Sequence, residues 1–96
     1  MVSLIWHPKA LDDLKVITQF ISRDSPMYGK LVTKKIKDAA TRLKDFPLMG
    51  RIVPEINIKS VRELIIQKYR IIYQVNKQQI IILAVLHSAQ EFRLSL

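Results

Sequence analysis

Cysteine is absent from this chain of 96 residues, which removes thiolate nucleophiles and disulfide frameworks at once. Glycine occurs only twice, at Gly29 and Gly50, too few for a glycine-rich loop that cradles phosphate. The two histidines, His7 and His87, stand far apart in the chain, so no metal-ligand spacing is recognisable and no metal or cofactor is expected. Nothing around Ser25, Ser60 or Ser88 resembles a nucleophile elbow. Aromatic residues are few and fall within the apolar pattern, which argues against a platform for stacking bases. The longest apolar run, Ile80–Leu86, is far short of the roughly 20 residues that span a bilayer, so no membrane partner is expected. The opening residues carry no basic region and soon reach Pro8 and Lys9, unlike a signal peptide. A soluble, cytoplasmic protein is the expectation. Acidic residues are scarce too: eight against sixteen Lys and Arg, for a formal charge of +8. That excess runs along the whole chain and favours nucleic acid, the ribosome or an acidic protein as partner.

What is present is organised around Arg62–His87. Three runs rich in Ile, Val and Tyr, at 62–66, 69–75 and 80–87, are separated by short polar breaks. Each run is too short for an ordinary helix, and branched side chains favour a pleated surface. The pattern predicts three consecutive antiparallel strands with Tyr69–Val75 in the centre. Before them, Val2–Trp6 reads as a first strand. Pro8 opens a helix whose stripe is Ala10, Leu14, Ile17 and Ile21, widened by Leu11 and Phe20, and which ends near 22–24. Asp12 and Asp13 suit its N-terminus. Ser25 then caps a second helix that starts at Pro26. One face of that helix carries Leu31 or Val32, Ile36, Ala39 or Ala40, and Leu43; its lysines, at 30, 34, 35, 37 and 44, read as solvated surface.

Pro47 stops the second helix and Gly50 supplies a turn. Pro54 keeps the chain irregular to Ser60, and the tail from Ser88 reads as loop, short helix or a partly ordered end. The expected architecture is a single α+β domain over 1–96, in the order β-α-α-β-β-β, with a helical hairpin on one face of a mainly antiparallel sheet. Phe46 is expected between hairpin and sheet, where truncation to alanine would cost about 3–5 kcal/mol. Ile71 and Tyr73 point to one sheet face and Ile72 to the other, so the second face needs a cover.

The chain resembles the RelE/ParE superfamily of toxins from bacterial type II toxin–antitoxin systems. The residues that carry the resemblance are Trp6-His7-Pro8-Lys9-Ala10-Leu11 with Asp13-Leu14, the Ser25-Pro26 restart, and Phe46-Pro47-Leu48-Met49-Gly50-Arg51-Ile52-Val53-Pro54-Glu55. Val61-Arg62-Glu63-Leu64, Tyr69-Arg70-Ile71-Ile72-Tyr73 and Val85-Leu86-His87 complete the series. The Phe46–Glu55 run and the ending Val85-Leu86-His87 look more like the ParE side than like ribosome-dependent RelE. The resemblance implies a toxin held by a cognate antitoxin, whose segment would supply the missing cover as an apolar helix or an added edge strand.

Two modes of toxicity follow from the resemblance. ParE-like members are associated with inhibition of DNA gyrase, and RelE-like members cut messenger RNA on the ribosome. Cutting RNA with its own 2′-hydroxyl requires a base, an acid, and positive charge against the phosphate. In that case Arg70 matches the phosphate-stabilising arginine, Arg62 adds a basic neighbour, and His87 is suited to move a proton. The other reading of each is structural: Arg70 paired with Glu63, Arg62 as a paired or solvated strand charge, and His87 as a hydrogen-bonded strand end. Lys59 and Lys68 are candidates for contact with nucleic acid or target. The tail Ser88-Ala89-Gln90-Glu91-Phe92 lacks the Arg, Lys and late Tyr common in RelE-like chains, which favours gyrase inhibition without an active site. A third reading is a non-toxic member that only binds its antitoxin.

Overall fold

Pro8 and Pro26 each occupy the first turn of a helix, where a missing N–H costs nothing and the fixed φ is already helical. The computed structural model describes residues 2–93 and extends these helices over Pro8–Ser22 (α1) and Pro26–Arg42 (α2). Ser25 caps α2 as its sequence suggests, its hydroxyl accepting the Tyr28 N–H at 3.1 Å. His7 caps α1 less conventionally, with ring Nδ1 accepting the Lys9 N–H at 3.1 Å. Asp12 and Asp13 fall outside the first turn of α1. Asp13 instead pairs with Lys9 at 3.0 Å and accepts the Val85 N–H at 3.0 Å, tying the helix to the sheet. Among the described residues no helix is long and apolar enough to cross a membrane.

Five strands follow the expected order with one addition. They are β1 (Ser3–Trp6), β2 (Arg51–Ile52), β3 (Val61–Ile66), β4 (Tyr69–Val75) and β5 (Gln79–His87). The sheet runs β1-β5-β4-β3-β2, and only the β1–β5 pair is parallel. The α+β architecture, with a helical hairpin on one face of a mainly antiparallel sheet, is therefore the one observed. The extra strand, β2, is two residues long, too short to leave an alternating pattern in the sequence.

Ile71, Tyr73, Ile80, Ile82 and Val85 meet Ala10, Leu14, Val32, Ile36, Ala40 and Leu43 in the main core. Residues 82 and 85 share that face only because the register shifts between Ile72 and Tyr73: Ile72 pairs with Ala84, but Tyr73 pairs with Ile82. Leu83 is the extra residue, a bulge that reverses the face assignment along β5. The opposite face is not left bare. Val53 and Phe92 close over Val61, Ile72 and Ala84, so the chain's own loop and tail supply the cover for which an antitoxin segment was expected. The last part of the tail, residues 94–96, lies outside the described residues.

Phe46, Leu11 and Phe20 stand elsewhere than the pattern suggests. Phe46 is 58% exposed, because the chain turns away after Arg42 and carries the ring outward instead of between hairpin and sheet. Leu11 and Phe20, on the flank of the α1 stripe, are also exposed, as is Leu31 of α2, while Val32 takes the core position. The residue that does bind the loop to the core is Tyr73. Its buried hydroxyl accepts the Gly50 N–H at 2.9 Å and donates to the Pro47 carbonyl at 2.9 Å. Gly50 is required for close approach and not for its φ, since a Cβ there would collide with the Glu63 carbonyl oxygen and the Tyr73 hydroxyl. Tyr73→Phe should therefore cost about 1–3 kcal/mol by orphaning two backbone groups, whereas Phe46→Ala should cost less than about 1 kcal/mol. Chemical denaturation of both variants checks the pair; the reverse ranking would place Phe46 inside.

Candidate functional site

The pleat decides which of the candidate residues can act together. Side chains two apart along a strand share a face, and directly paired residues share it too. Arg62 pairs with Tyr73, and its neighbours Leu64 and Ile66 pack on the helix-side core, so Arg62 lies on the helix side. His87 pairs with Tyr69 on that same side, their rings edge to face with centroids 6.0 Å apart. Arg70 shares its face with Ile72, on the opposite side of the sheet. Arg62 and His87 lie opposite positions four residues apart on β4, roughly 13 Å along the strand. The three residues therefore do not converge on one cleft.

Arg70 is buried and its guanidinium is saturated. Nε donates to Glu63 Oε1 at 3.0 Å, and Nη2 to Glu63 Oε2 at 3.0 Å and Glu55 Oε1 at 2.9 Å. Nη1 donates to Glu55 Oε2 at 2.8 Å and to the Gln90 carbonyl at 2.6 Å. These are all five N–H groups the side chain possesses. Such a fork, bidentate on both carboxylates, is the strongest geometry available to an arginine. Glu55 also accepts the Phe92 N–H at 3.0 Å, so one cluster fastens the loop after β2, the strands β3 and β4, and the tail. Pairing of Arg70 with Glu63 was legible from the sequence; the second carboxylate, Glu55, was not, because it sits in an irregular segment with no periodicity.

Charge is matched to this geometry. The Arg70 hydrogen bond holds the Glu55 carboxyl down, from its ordinary 4.5 to about 2, helped by the Phe92 N–H and opposed by burial. The two carboxylates push the Arg70 pKa upward, Glu55 most, against the opposing effect of burial. Burial likewise raises the Tyr73 hydroxyl.

The remaining candidates are spread out. Arg62 donates Nη1 to the Gly50 carbonyl at 2.9 Å and Nε to the Lys59 carbonyl at 3.1 Å, so it braces the loop beside Tyr73. His87 is exposed, and its Nδ1 accepts the Ala89 N–H at 3.2 Å. Lys59 and Lys68 are exposed at opposite ends of β3. No group of three or more His, Asp or Glu among the described residues is placed to hold a metal ion.

A family model described as "ParE toxin of type II toxin-antitoxin system, parDE" matches residues 4–92. The chain belongs to this ParE toxin family. Membership makes it a toxin-family protein of type II toxin–antitoxin systems and implies an antitoxin as partner. The chain is 30% identical over 91 residues to the protein named Toxin RelE2 of Caulobacter vibrioides, across 94% of this chain and 99% of that one. Its fold matches a solved structure titled "Chromosomal ParDE TA system from P. aeruginosa", with TM-score 0.74 and 23% identity over 91% of this chain and 96% of the other. One relative of this ParE-family chain thus carries a RelE name and the other a ParDE title, and the two names do not select a target.

Two outcomes follow from the buried cluster. Arg70→Ala leaves the Glu63 carboxylate, whose side chain is 0% exposed, with only the more distant Arg51 at 3.6 Å, and should cost about 3–5 kcal/mol, with much of the loss recovered when Glu63 is also made Leu. Urea melts of the single and double variants measure this, and a single-variant cost below about 1 kcal/mol would mean that the ion pairs do not hold the face together. The second outcome concerns acid. Because the Glu55 pKa is lower folded than unfolded, its stabilisation is complete above about pH 4.5 and is lost as pH falls towards about 2. Glu55→Gln should lower stability at neutral pH and flatten the decline within that window. Parallel acid profiles for the two proteins would contradict the pairing.

Proposed function

We propose that this ParE-family toxin arrests growth by binding a protein target, DNA gyrase, and not by cutting RNA. The observation that carries the reading is the saturated guanidinium of Arg70. Stabilising a phosphorane needs a donor free to strengthen its bond as charge develops. Here that donor would have to abandon one of two carboxylates, each of which repels phosphate. The dispersal of Arg62 and His87 supports the same reading, since a base, an acid and a charge stabiliser must surround one bond. Lys59 and Lys68, both exposed and basic, serve in this reading as target contacts that speed encounter with an acidic surface.

The second reading, a RelE-like endonuclease of ribosome-bound messenger, is favoured by the name of the Caulobacter relative and by the exposed imidazole of His87. One experiment separates the two. Wild-type protein is expected to inhibit supercoiling by purified gyrase and to leave messenger on programmed ribosomes intact. His87→Gln and Arg62→Ala are expected to produce no change in RNA integrity, because there is no cleavage to lose. Codon-positioned fragments from wild-type protein that fall by about 100-fold or more in either variant would replace the gyrase reading with the nuclease.

A further inference from the structure

Between α2 and β2 the chain places Phe46, Pro47, Leu48 and Met49 in succession at the surface, with Phe46 58%, Leu48 64% and Met49 41% exposed. This is not a slack connection. The Phe46 N–H bonds to the Arg42 carbonyl and the Met49 N–H to the Phe46 carbonyl, each at 3.1 Å. From beneath, the Tyr73 hydroxyl grips both Pro47 and Gly50, and Arg62 holds the Gly50 carbonyl. A fully buried tyrosine and a half-buried arginine are thus spent on fixing a loop whose own apolar side chains contribute little to the core. Preorganisation of this kind matters for association, because an anchor already held in place loses little entropy on docking.

The surroundings specify what would receive it. Arg42 lines the same apolar depression as Phe46–Met49 and Lys44 precedes the loop in sequence, whereas Arg51 beyond it turns to Glu63, 3.6 Å away, on the other sheet face. Arg62 is linked to it through the Gly50 carbonyl and also holds the Lys59 carbonyl, and Asp45 is the opposing charge within the segment. We propose that the Phe46–Met49 loop is the anchor with which the toxin seats on its protein target, entering an apolar pocket ringed by carboxylates. An aromatic and two long aliphatic side chains inside a charged rim is the composition expected of an interface centre. The proposal rests on the reading that toxicity acts through protein contact.

A second exposed apolar patch makes the assignment testable. Met27, Tyr28 and Leu31 stand at the first turns of α2, with Phe20 near the end of α1. Arg42 ends α2, fifteen residues beyond Met27, which separates the two patches by roughly 22 Å along the helix. A ligand seated on one patch alone does not reach the other, so substitutions in the loop leave the second patch unchanged.

Leu48→Glu and Met49→Glu, made singly, place an acid where the proposed pocket is acidic, at positions exposed enough to leave folding intact. Each is checked for an unchanged thermal midpoint, then assayed for inhibition of purified gyrase holoenzyme, for growth arrest without antitoxin, and for antitoxin affinity. Inhibition and growth arrest are expected to weaken by about tenfold or more, with antitoxin affinity held within about twofold. Arg42→Glu is expected to weaken inhibition in the same direction, most at low salt. Undiminished growth arrest by Leu48→Glu overturns the proposal, and so does a parallel loss of antitoxin affinity, which would assign the loop to the antitoxin. Wild-type protein that cuts messenger and spares supercoiling would instead overturn the underlying reading. Growth arrest by Leu48→Glu then still decides the role of the loop.

Discussion

Burying a guanidinium is expensive, and the second face of this sheet is arranged around meeting that cost. Arg70 lies on the sheet face that carries Val53, Val61, Ile72, Ala84 and Phe92, and is only 6% exposed. It is tolerable there only with two carboxylates and a carbonyl oriented on all of its N–H groups. Those acceptors come from three separate stretches, so satisfying one side chain dictates where β3, the loop after β2 and the tail must lie. No buried side-chain nitrogen or oxygen among the described residues lacks a partner, which is what a settled cluster of this kind should show. Hydrophobic contact alone would hold the tail at Phe92 loosely; the Glu55 carboxylate, on both Phe92 N–H and Arg70, holds it in register.

The helix side solves a different problem with the same economy. Tyr73 is wholly buried in the main core, yet its hydroxyl reaches the surface loop and bonds to both ends of a tight turn at Pro47 and Gly50. Arg62, on the same face, adds a third tether through Gly50. Arg62, a candidate for chemistry, and Tyr73 on the adjacent strand thereby both fix the loop. The basic character of the chain is not diminished by this. Most of its lysines remain on the outside of α2 and along the loops, where they raise attraction to acidic surfaces without specifying one.

A ParE-family fold therefore says less about the toxic act than the side chains on it do. A sheet backed by a helical hairpin can hold an RNA-cutting constellation only if the strands aim a base, an acid and a free cation at one point. In this chain the pleat sends Arg70 and His87 to opposite faces, and the carboxylates of Glu55 and Glu63 take up the N–H groups of Arg70. The surface also presents exposed apolar side chains, among them Phe46, Leu48 and Met49.

The sequence by itself determined the elements and their order, because those depend on local physics. Pro8, Ser25 and Pro26 set helix starts; branched apolar runs set the three long strands; α2, by contrast, ends at Arg42, before Pro47, which was expected to stop it. The sequence also marked Ile71 and Tyr73 against Ile72, since a period of two is visible wherever a strand is mixed in polarity. Only the tertiary structure decided the rest. The unbroken run Ile80–Leu86 carries no parity, so the bulge at Leu83 and the side on which His87 falls were invisible in it. Phe46, expected between hairpin and sheet, lies outside the core because the turn after Arg42 rotates it outward. Glu55 had no pattern to announce it; its role exists only because a loop with no regular structure passes over Arg70, a contact made across fifteen residues of chain. Local propensity reaches a few residues along the chain, and the decisive polar contacts here join segments that only the folded sheet brings together.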